Sequence, residues 1–180
     1  APILTLLFVA LVVMLISGFS KEPTKPNRLS FFLAIFSLLF ASFSAYFVKL
    51  QAPMSFLGSG FLADSLSQSS FLVISLGTLF TLICASGTEV GRKLLRPEMI
   101  SLFLLASSGL MIMCSAGEFL SFFVGLELMS ISLYVLVGYQ RHDLAAMEAA
   151  VKYFILGAAF SAVLLMGAAL IYASVGSLRF

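Results

Sequence analysis

The chain has 180 residues, of which 61% are hydrophobic and 10% are charged. An average soluble domain carries about 25% charged residues, so the composition excludes an ordinary water-soluble domain and indicates a membrane protein. The formal net charge of +2 is too small to indicate a nucleic-acid partner.

Six apolar runs are long enough, at about 1.5 Å per residue, to cross or nearly cross a bilayer core of about 30 Å. They predict helices at residues 2–19, 29–50, 69–86, 98–115, 119–139 and 147–175. The short loops leave no room for a soluble domain, so residues 1–180 are interpreted as a single transmembrane domain. We therefore predict an all-α integral membrane protein with about six transmembrane helices.

The connections carry local structural signals. Residues 51–68 are rich in Ser and Gly and are predicted to be a surface loop before the third helix. Pro97 and Glu98 are predicted to form the first turn of the fourth helix, because Pro is favoured there and an acid suits the positive end of the helix dipole. Asp143 is predicted to cap the sixth helix.

The basic residues are distributed unevenly between the two sides of the predicted bundle. The first, third and fifth loops contain Lys21, Lys25, Arg28, Arg92, Lys93, Arg96 and Arg141. On the other side lie only Lys49 and Arg179, and Lys152 lies within the sixth helix. By the positive-inside rule these three loops face the cytoplasm, and both chain ends face the opposite compartment.

The fifth predicted helix carries an acid near its middle, Glu127, about 13 Å inward from its outer end. An acid at that depth costs about 2.5 to 3.5 kcal/mol on translocon scales. Ser130 and Tyr134 complete a polar stripe that is predicted to face other helices. Burial favours the neutral acid and a nearby cation favours the carboxylate, so Glu127 is a candidate proton carrier. Alternatively, a protonated Glu127 only ties two helices together by a hydrogen bond.

The sixth predicted helix carries a cation, Lys152. If this helix begins near Leu144 at the membrane surface, Lys152 lies about 6 Å from Glu127 along the helix axis, a gap that long side chains or one water can bridge. The alternative partner is Glu148, four residues earlier on the same helix, with the Lys side chain reaching to the nearer surface. Both pairings stay open. Gly157, with other small residues after it, predicts close helix packing.

The remaining chemistry-bearing residues are few. The chain has two cysteines, no CxxC motif and one histidine. This count indicates neither a disulfide framework nor a metal or haem site. No catalytic, cofactor-binding or metal-binding residue is therefore assigned.

Two segments together resemble a known family. Residues 125–130 read Gly-Leu-Glu-Leu-Met-Ser, and residues 148–158 read Glu-Ala-Ala-Val-Lys-Tyr-Phe-Ile-Leu-Gly-Ala. Here the chain is similar to the antiporter-like membrane subunits of respiratory complex I, and most of all to those of the subunit N type in bacterial NADH:quinone oxidoreductase. The fourth to sixth helices carry this match, whereas the first three agree mainly in hydropathy and loop placement.

The resemblance implies part of a proton channel without redox chemistry of its own, in a multi-pass protein of the bacterial inner membrane with both ends periplasmic. It implies Glu127 as the pumping carboxylate and Lys152 as an accessory charge, and Ser130, Tyr134 and Glu148 are candidate supporting residues. The expected partners are the lipid bilayer and other membrane subunits. NADH, FMN, iron–sulfur clusters and quinone are expected in partner subunits, with protons as the only small-molecule substrate of this chain.

The chain also departs from the family in one respect. Family members carry about fourteen helices in two inverted repeats, and their Glu pairs with a Lys on a broken seventh helix. This chain is expected to be an N-terminal portion of such a subunit, or to be completed by another chain. Related subunits of cation/proton antiporters and membrane hydrogenases, and a structural or assembly membrane protein, are the alternatives.

Overall fold

The computed structural model describes residues 2–19, 28–47, 54–56, 60–89, 91 and 95–180. Six long helices lie in these ranges: α1 (Pro2–Phe19), α2 (Arg28–Phe47), α3 (Ser65–Gly87), α4 (Pro97–Cys114), α5 (Phe119–Val137) and α6 (Leu144–Val175). Five of them, α2 to α6, are long and apolar enough to cross a membrane, and α1 is a shorter apolar helix. The predicted helical membrane fold is confirmed to that extent. Five basic residues used to predict orientation lie outside the described residues: Lys21, Lys25, Lys49, Arg92 and Lys93.

The starts of α4 and α6 follow the sequence signals. Pro97 occupies the first turn of α4, and Glu98 lies beside it. At the start of α6 the Asp143 carboxylate accepts a hydrogen bond from the Ala145 amide at 2.9 Å. The predicted first turn at Pro97 and the predicted cap at Asp143 are confirmed, and α6 begins at Leu144, three residues before the predicted 147.

The α3 helix begins at Ser65, four residues before the predicted start. The Asp64 carboxylate accepts a hydrogen bond from the Ser67 amide at 2.7 Å, and the Asp64 amide donates to the Ser67 hydroxyl at 3.0 Å. This capping box satisfies amide groups that a helix start leaves without partners, so the helix begins within a polar segment.

The central helix of the bundle is α4, which packs against α1, α2, α3 and α5. Its side chains Ile100, Leu104 and Met111 are fully buried, together with Leu6 of α1 and Leu38 of α2. In contrast, α6 packs against α5 and makes few contacts with the other described helices. Therefore α5 lies between the core of the bundle and α6, whose apolar side chains are mostly exposed in this chain.

Two glycines set the spacing of α4 and α5. A Cβ added to Gly109 would lie 2.6 Å from the Met129 amide nitrogen, and one added to Gly125 would lie 2.8 Å from the Gly109 carbonyl oxygen. In a bilayer, apolar side chains gain little by leaving lipid, so close packing and hydrogen bonds hold helices together. The backbones of α4 and α5 thus meet where side chains are absent.

Extended backbone segments join the ends of several helices on one side of the bundle. Strands β1 (Met54–Phe56) and β2 (Phe61–Ala63) form an antiparallel hairpin within the predicted 51–68 loop. The Leu62 amide donates to the Ser115 carbonyl at 2.7 Å, and the Phe119 amide donates to the Leu178 carbonyl at 2.9 Å. The α4–α5 connection is thus held between the hairpin and the segment after α6.

Candidate functional site

The polar stripe of α5 faces α6. Successive α-helical residues are rotated by about 100°, so Glu127, Ser130 and Tyr134 lie roughly opposite Gly125, which contacts α4. The Tyr134 hydroxyl lies against Gly157 of α6 and fills the space that a Cβ at that position would need. The prediction that this stripe faces another helix is therefore confirmed for Tyr134, and it indicates the same direction for the other two residues.

Glu127 lies near the middle of α5, which runs from Phe119 to Val137. Its side chain is half-buried, and its Oε1 atom is buried without a hydrogen-bond partner among the described residues. A buried polar atom without a partner costs about 1 to 3 kcal/mol, and more when it is charged. The Oε1 atom of Glu127 is thus free to accept a hydrogen bond from a partner outside the described residues.

Aromatic rings surround the other end of the stripe. The Tyr134 ring meets the Tyr153 ring edge to face, with centroids 4.9 Å apart and planes at 89°. It meets the Phe154 ring in the same way at 5.6 Å and 86°. Ser130, between Glu127 and this ring cluster along α5, is buried.

Lys152 pairs with Glu148 and not with Glu127. Its ammonium nitrogen lies 2.5 Å from a Glu148 carboxylate oxygen, and both side chains are about two-thirds exposed in this chain. At about 100° per residue, both point away from the face of α6 that carries Gly157 and contacts α5. Of the two pairings left open by the sequence, the structure contains the one within α6.

The predicted axial offset between Lys152 and Glu127 was too small. Gly138 of α5 lies level with Ala150 of α6, since a Cβ on Gly138 would lie 2.9 Å from the Ala150 Cβ. Counting residues from this contact gives an offset of roughly 13 Å, instead of about 6 Å. The reason is that α6 extends about 9 Å beyond the end of α5, so Leu144 is not level with that end.

A second group of charged residues was not predicted as a cluster. It lies at the end of the bundle where α5 ends and α6 begins, which we call the Asp143 end. The Ser17 hydroxyl at the end of α1 donates to the Glu98 carboxylate at 3.2 Å. The Tyr139 hydroxyl is buried, and Glu98 acts on it both through its negative charge and through a hydrogen bond, whereas Arg96 and Arg141 act on it through their positive charges. Burial, and then the negative charge of Glu98, raise the pKa of Tyr139 above its usual 10.0. No sequence signal indicated that the ends of α1, α4 and α5 meet here.

Metal ligands are not grouped in the part of the chain that the structure describes, where no three His, Cys, Asp or Glu side chains come together. The cysteines there, Cys84 and Cys114, are both free and exposed.

Comparison with known proteins places the site in a family context. Residues 116–180, which contain Glu127 and Lys152, match the family described as NADH:quinone oxidoreductase/Mrp antiporter, TM. The chain is 34% identical over 170 residues to NADH-quinone oxidoreductase subunit N of Azoarcus sp. strain BH72, covering 94% of this chain and 34% of that protein. It is 37% identical over 179 residues to the subunit N of Thiobacillus denitrificans, covering 99% of this chain and 37% of that protein. The chain thus spans about a third of the length of these relatives.

Two solved structures share the fold. Respiratory complex I from Thermus thermophilus contains a chain that superimposes with a TM-score of 0.80 at 28% identity, covering 99% of this chain and 38% of that one. The membrane-bound sulfane sulfur reductase, an archaeal respiratory membrane complex, gives a TM-score of 0.81 at 24% identity, covering 99% and 37%. The predicted resemblance to antiporter-like membrane subunits of complex I, with subunit N among the matches, is confirmed. The predicted multi-pass location in the bacterial inner membrane is confirmed as well.

Proposed function

We propose that this chain forms part of an antiporter-like proton path in a membrane subunit of a proton-pumping NADH:quinone oxidoreductase. The observation that carries the proposal is the carboxyl group of Glu127, which is set in the middle of a membrane-spanning helix with one oxygen buried and unpartnered among the described residues. It lies within the segment that matches the family of NADH:quinone oxidoreductases and Mrp antiporters. The conclusion is that Glu127 takes up and releases the transported proton.

The chemistry of this step needs only one carboxyl group and a changing electrostatic environment. In apolar surroundings the neutral, protonated acid is favoured, and the approach of a positive charge favours the carboxylate. A segment outside this chain that carries such a charge would release the proton from Glu127. Lys152, paired with Glu148 on the far face of α6, is an accessory charge, and Ser130 and Tyr134 support the path.

The redox reaction belongs to partner subunits in this proposal. NADH, FMN, iron–sulfur clusters and quinone bind there, and this chain contributes proton transfer and contacts to other membrane subunits. Six spans, including α1, carry the chain across the membrane. The basic residues of the connections between α1 and α2, α3 and α4, and α5 and α6 favour the cytoplasmic side, with both chain ends in the periplasm.

The test is Glu127→Gln in the full-length subunit of the assembled complex, reconstituted into vesicles. Gln keeps the shape and hydrogen-bonding capacity of Glu but does not carry the proton, so we expect proton uptake driven by NADH oxidation to fall while assembly is retained. Glu89→Gln, at an exposed glutamate, is the matched control and should pump at the native rate. Native pumping by Glu127→Gln, together with impaired assembly of Glu127→Leu, would instead support a purely structural role.

A second candidate is a cation/proton antiporter subunit, because the matching family also includes Mrp antiporters. The same carboxyl group would then exchange protons for a metal cation without quinone reduction. Sodium-dependent proton movement in vesicles in the absence of NADH and quinone would favour this candidate. A membrane hydrogenase subunit would instead show proton movement that depends on hydrogen turnover.

A further inference from the structure

The α5–α6 interface is closed between Glu127 and the Asp143 end. Tyr134 lies seven residues after Glu127, about 10 Å nearer to that end. Its hydroxyl group fills the space beside Gly157, and its ring packs edge to face on Tyr153 and Phe154. The aromatic side chain therefore spans the distance from α5 to the α6 backbone at this level.

A second contact closes the same interface one turn further on. Gly138 approaches Ala150 so closely that a Cβ added to Gly138 would lie 2.9 Å from the Ala150 Cβ. The interface on the Asp143 side of Glu127 is therefore closed by two successive contacts.

We infer that Tyr134 seals Glu127 from the Asp143 end of the bundle, keeping water and protons from moving along the α5–α6 interface. Close contact of a bulky ring with a glycine leaves no room for a water chain, and an apolar constriction also disfavours entry of water. The inference rests on the proposed function, because a seal matters only if Glu127 carries protons. In this role Tyr134 is a positioning residue, and the ring provides the barrier, because its Cζ and Cε1 atoms would lie 2.7 and 3.1 Å from a Cβ added to Gly157.

The test measures passive proton leak in vesicles that contain the assembled complex with the full-length subunit and no NADH. A pH step is applied outside, and a trapped pH-sensitive dye reports proton entry. We expect Tyr134→Ala to leak several-fold faster than the native complex, and Tyr134→Phe, which keeps the ring, to leak at the native rate. Tyr172→Ala removes an exposed tyrosine of the same helix pair and serves as the matched control.

A double variant tests whether the leak passes through the site. Adding Glu127→Gln to Tyr134→Ala should return the leak to the native rate, because the neutral amide does not carry the proton. Assembly is checked by the amount of complex and by NADH oxidation with a soluble artificial acceptor. If Tyr134→Ala does not assemble, Tyr134→Leu, which keeps more bulk, is used in its place and should show a smaller leak.

Three results would overturn the inference. The first is a native leak rate in an assembled Tyr134→Ala or Tyr134→Leu complex, and the second is a Tyr134→Ala leak that Glu127→Gln does not reduce. The third is a leak in Tyr134→Phe as fast as that in Tyr134→Ala. If Glu127→Gln alone leaves pumping unchanged, the proposed function fails and the seal falls with it. If Glu127→Gln stops pumping while the assembled Tyr134→Ala and Tyr134→Leu complexes leak protons at the native rate, only the seal is refuted.

Discussion

The ammonium group of Lys152 lies 2.5 Å from the carboxylate of Glu148, one turn earlier on α6, and on the face of that helix turned away from Glu127. Glutamate four residues before lysine is the favoured order for such a pair. A surface ion pair contributes between about 0 and 1 kcal/mol in water. Because the pair lies on the side of α6 away from α5, helices outside this chain can pack over it, whereas α5 cannot.

This pairing predicts the outcome of two double-mutant cycles on subunit stability in the full-length protein. Lys152→Met combined with Glu148→Gln should show a coupling of about 0.3 to 0.5 kcal/mol, because the two side chains touch and are exposed. Lys152→Met combined with Glu127→Gln should show no coupling beyond the error of the cycle, since roughly 13 Å separate the residues along the helix axes. The free energies come from thermal unfolding in one detergent. Strong coupling to Glu127 and none to Glu148 would be incompatible with the observed geometry.

The close approach of α4 and α5 predicts that neither glycine at the crossing tolerates a methyl group. Gly109→Ala and Gly125→Ala would each place a Cβ against backbone atoms of the other helix, which cannot move as a flexible side chain would. We expect each variant to lose about 1 to 3 kcal/mol of stability. The unfolding midpoint measures this loss. Gly77→Ala, in open space on α3, is the control and should be neutral or slightly stabilising. An equal loss at Gly77 would show that helix composition, not the crossing, is responsible.

The capping box predicts that Asp64 stabilises the first turn of α3. Asp64→Ala removes the acceptor of the Ser67 amide and should cost about 1 kcal/mol. Asp64→Asn keeps an acceptor oxygen and should cost much less. Amide hydrogen exchange in the first turn of α3 reports the effect locally. Equal exchange in the two variants would exclude a capping role for the side chain.

The cluster at the Asp143 end predicts a loss of stability at alkaline pH. The pKa of Tyr139 is higher in the folded chain than in the unfolded chain, where it is near the ordinary value of 10.0, because burial and Glu98 disfavour the phenolate. As the pH rises, the unfolded chain therefore releases this proton before the folded chain does. The stability contributed by the neutral hydroxyl is fully present below the unfolded pKa of 10.0. It is lost as the pH rises through the raised pKa.

The measurement is the unfolding midpoint from neutral to about pH 11 in the native protein and in Tyr139→Phe. The variant lacks the ionisable hydroxyl, so its midpoint should fall less steeply at high pH. Tyr46→Phe, at an exposed tyrosine, provides the control. A Tyr139→Phe curve that parallels the native one at all pH values would contradict the assignment.

Local sequence signals were sufficient for the helices and for several of their starts. Apolar runs predict spanning helices because a bilayer requires continuous apolar length and internal backbone hydrogen bonds. Pro97 and Asp143 mark helix starts through chemistry that involves only neighbouring residues. The stripe that begins at Glu127 follows from helical periodicity alone. The hairpin near residue 61 was not predicted, and its contact with the α4–α5 connection joins residues that are far apart along the chain.

The tertiary structure alone decided which groups meet. Sequence spacing left Lys152 with two partners, and the register of α5 against α6 removed Glu127 from its reach. That register is set by Gly138 against Ala150 and by Tyr134 against Gly157, contacts between residues that are distant in sequence. Helix periodicity fixes which residues share a face, but in a membrane the meeting of two faces depends on close packing of small and large side chains, and no local pattern encodes it.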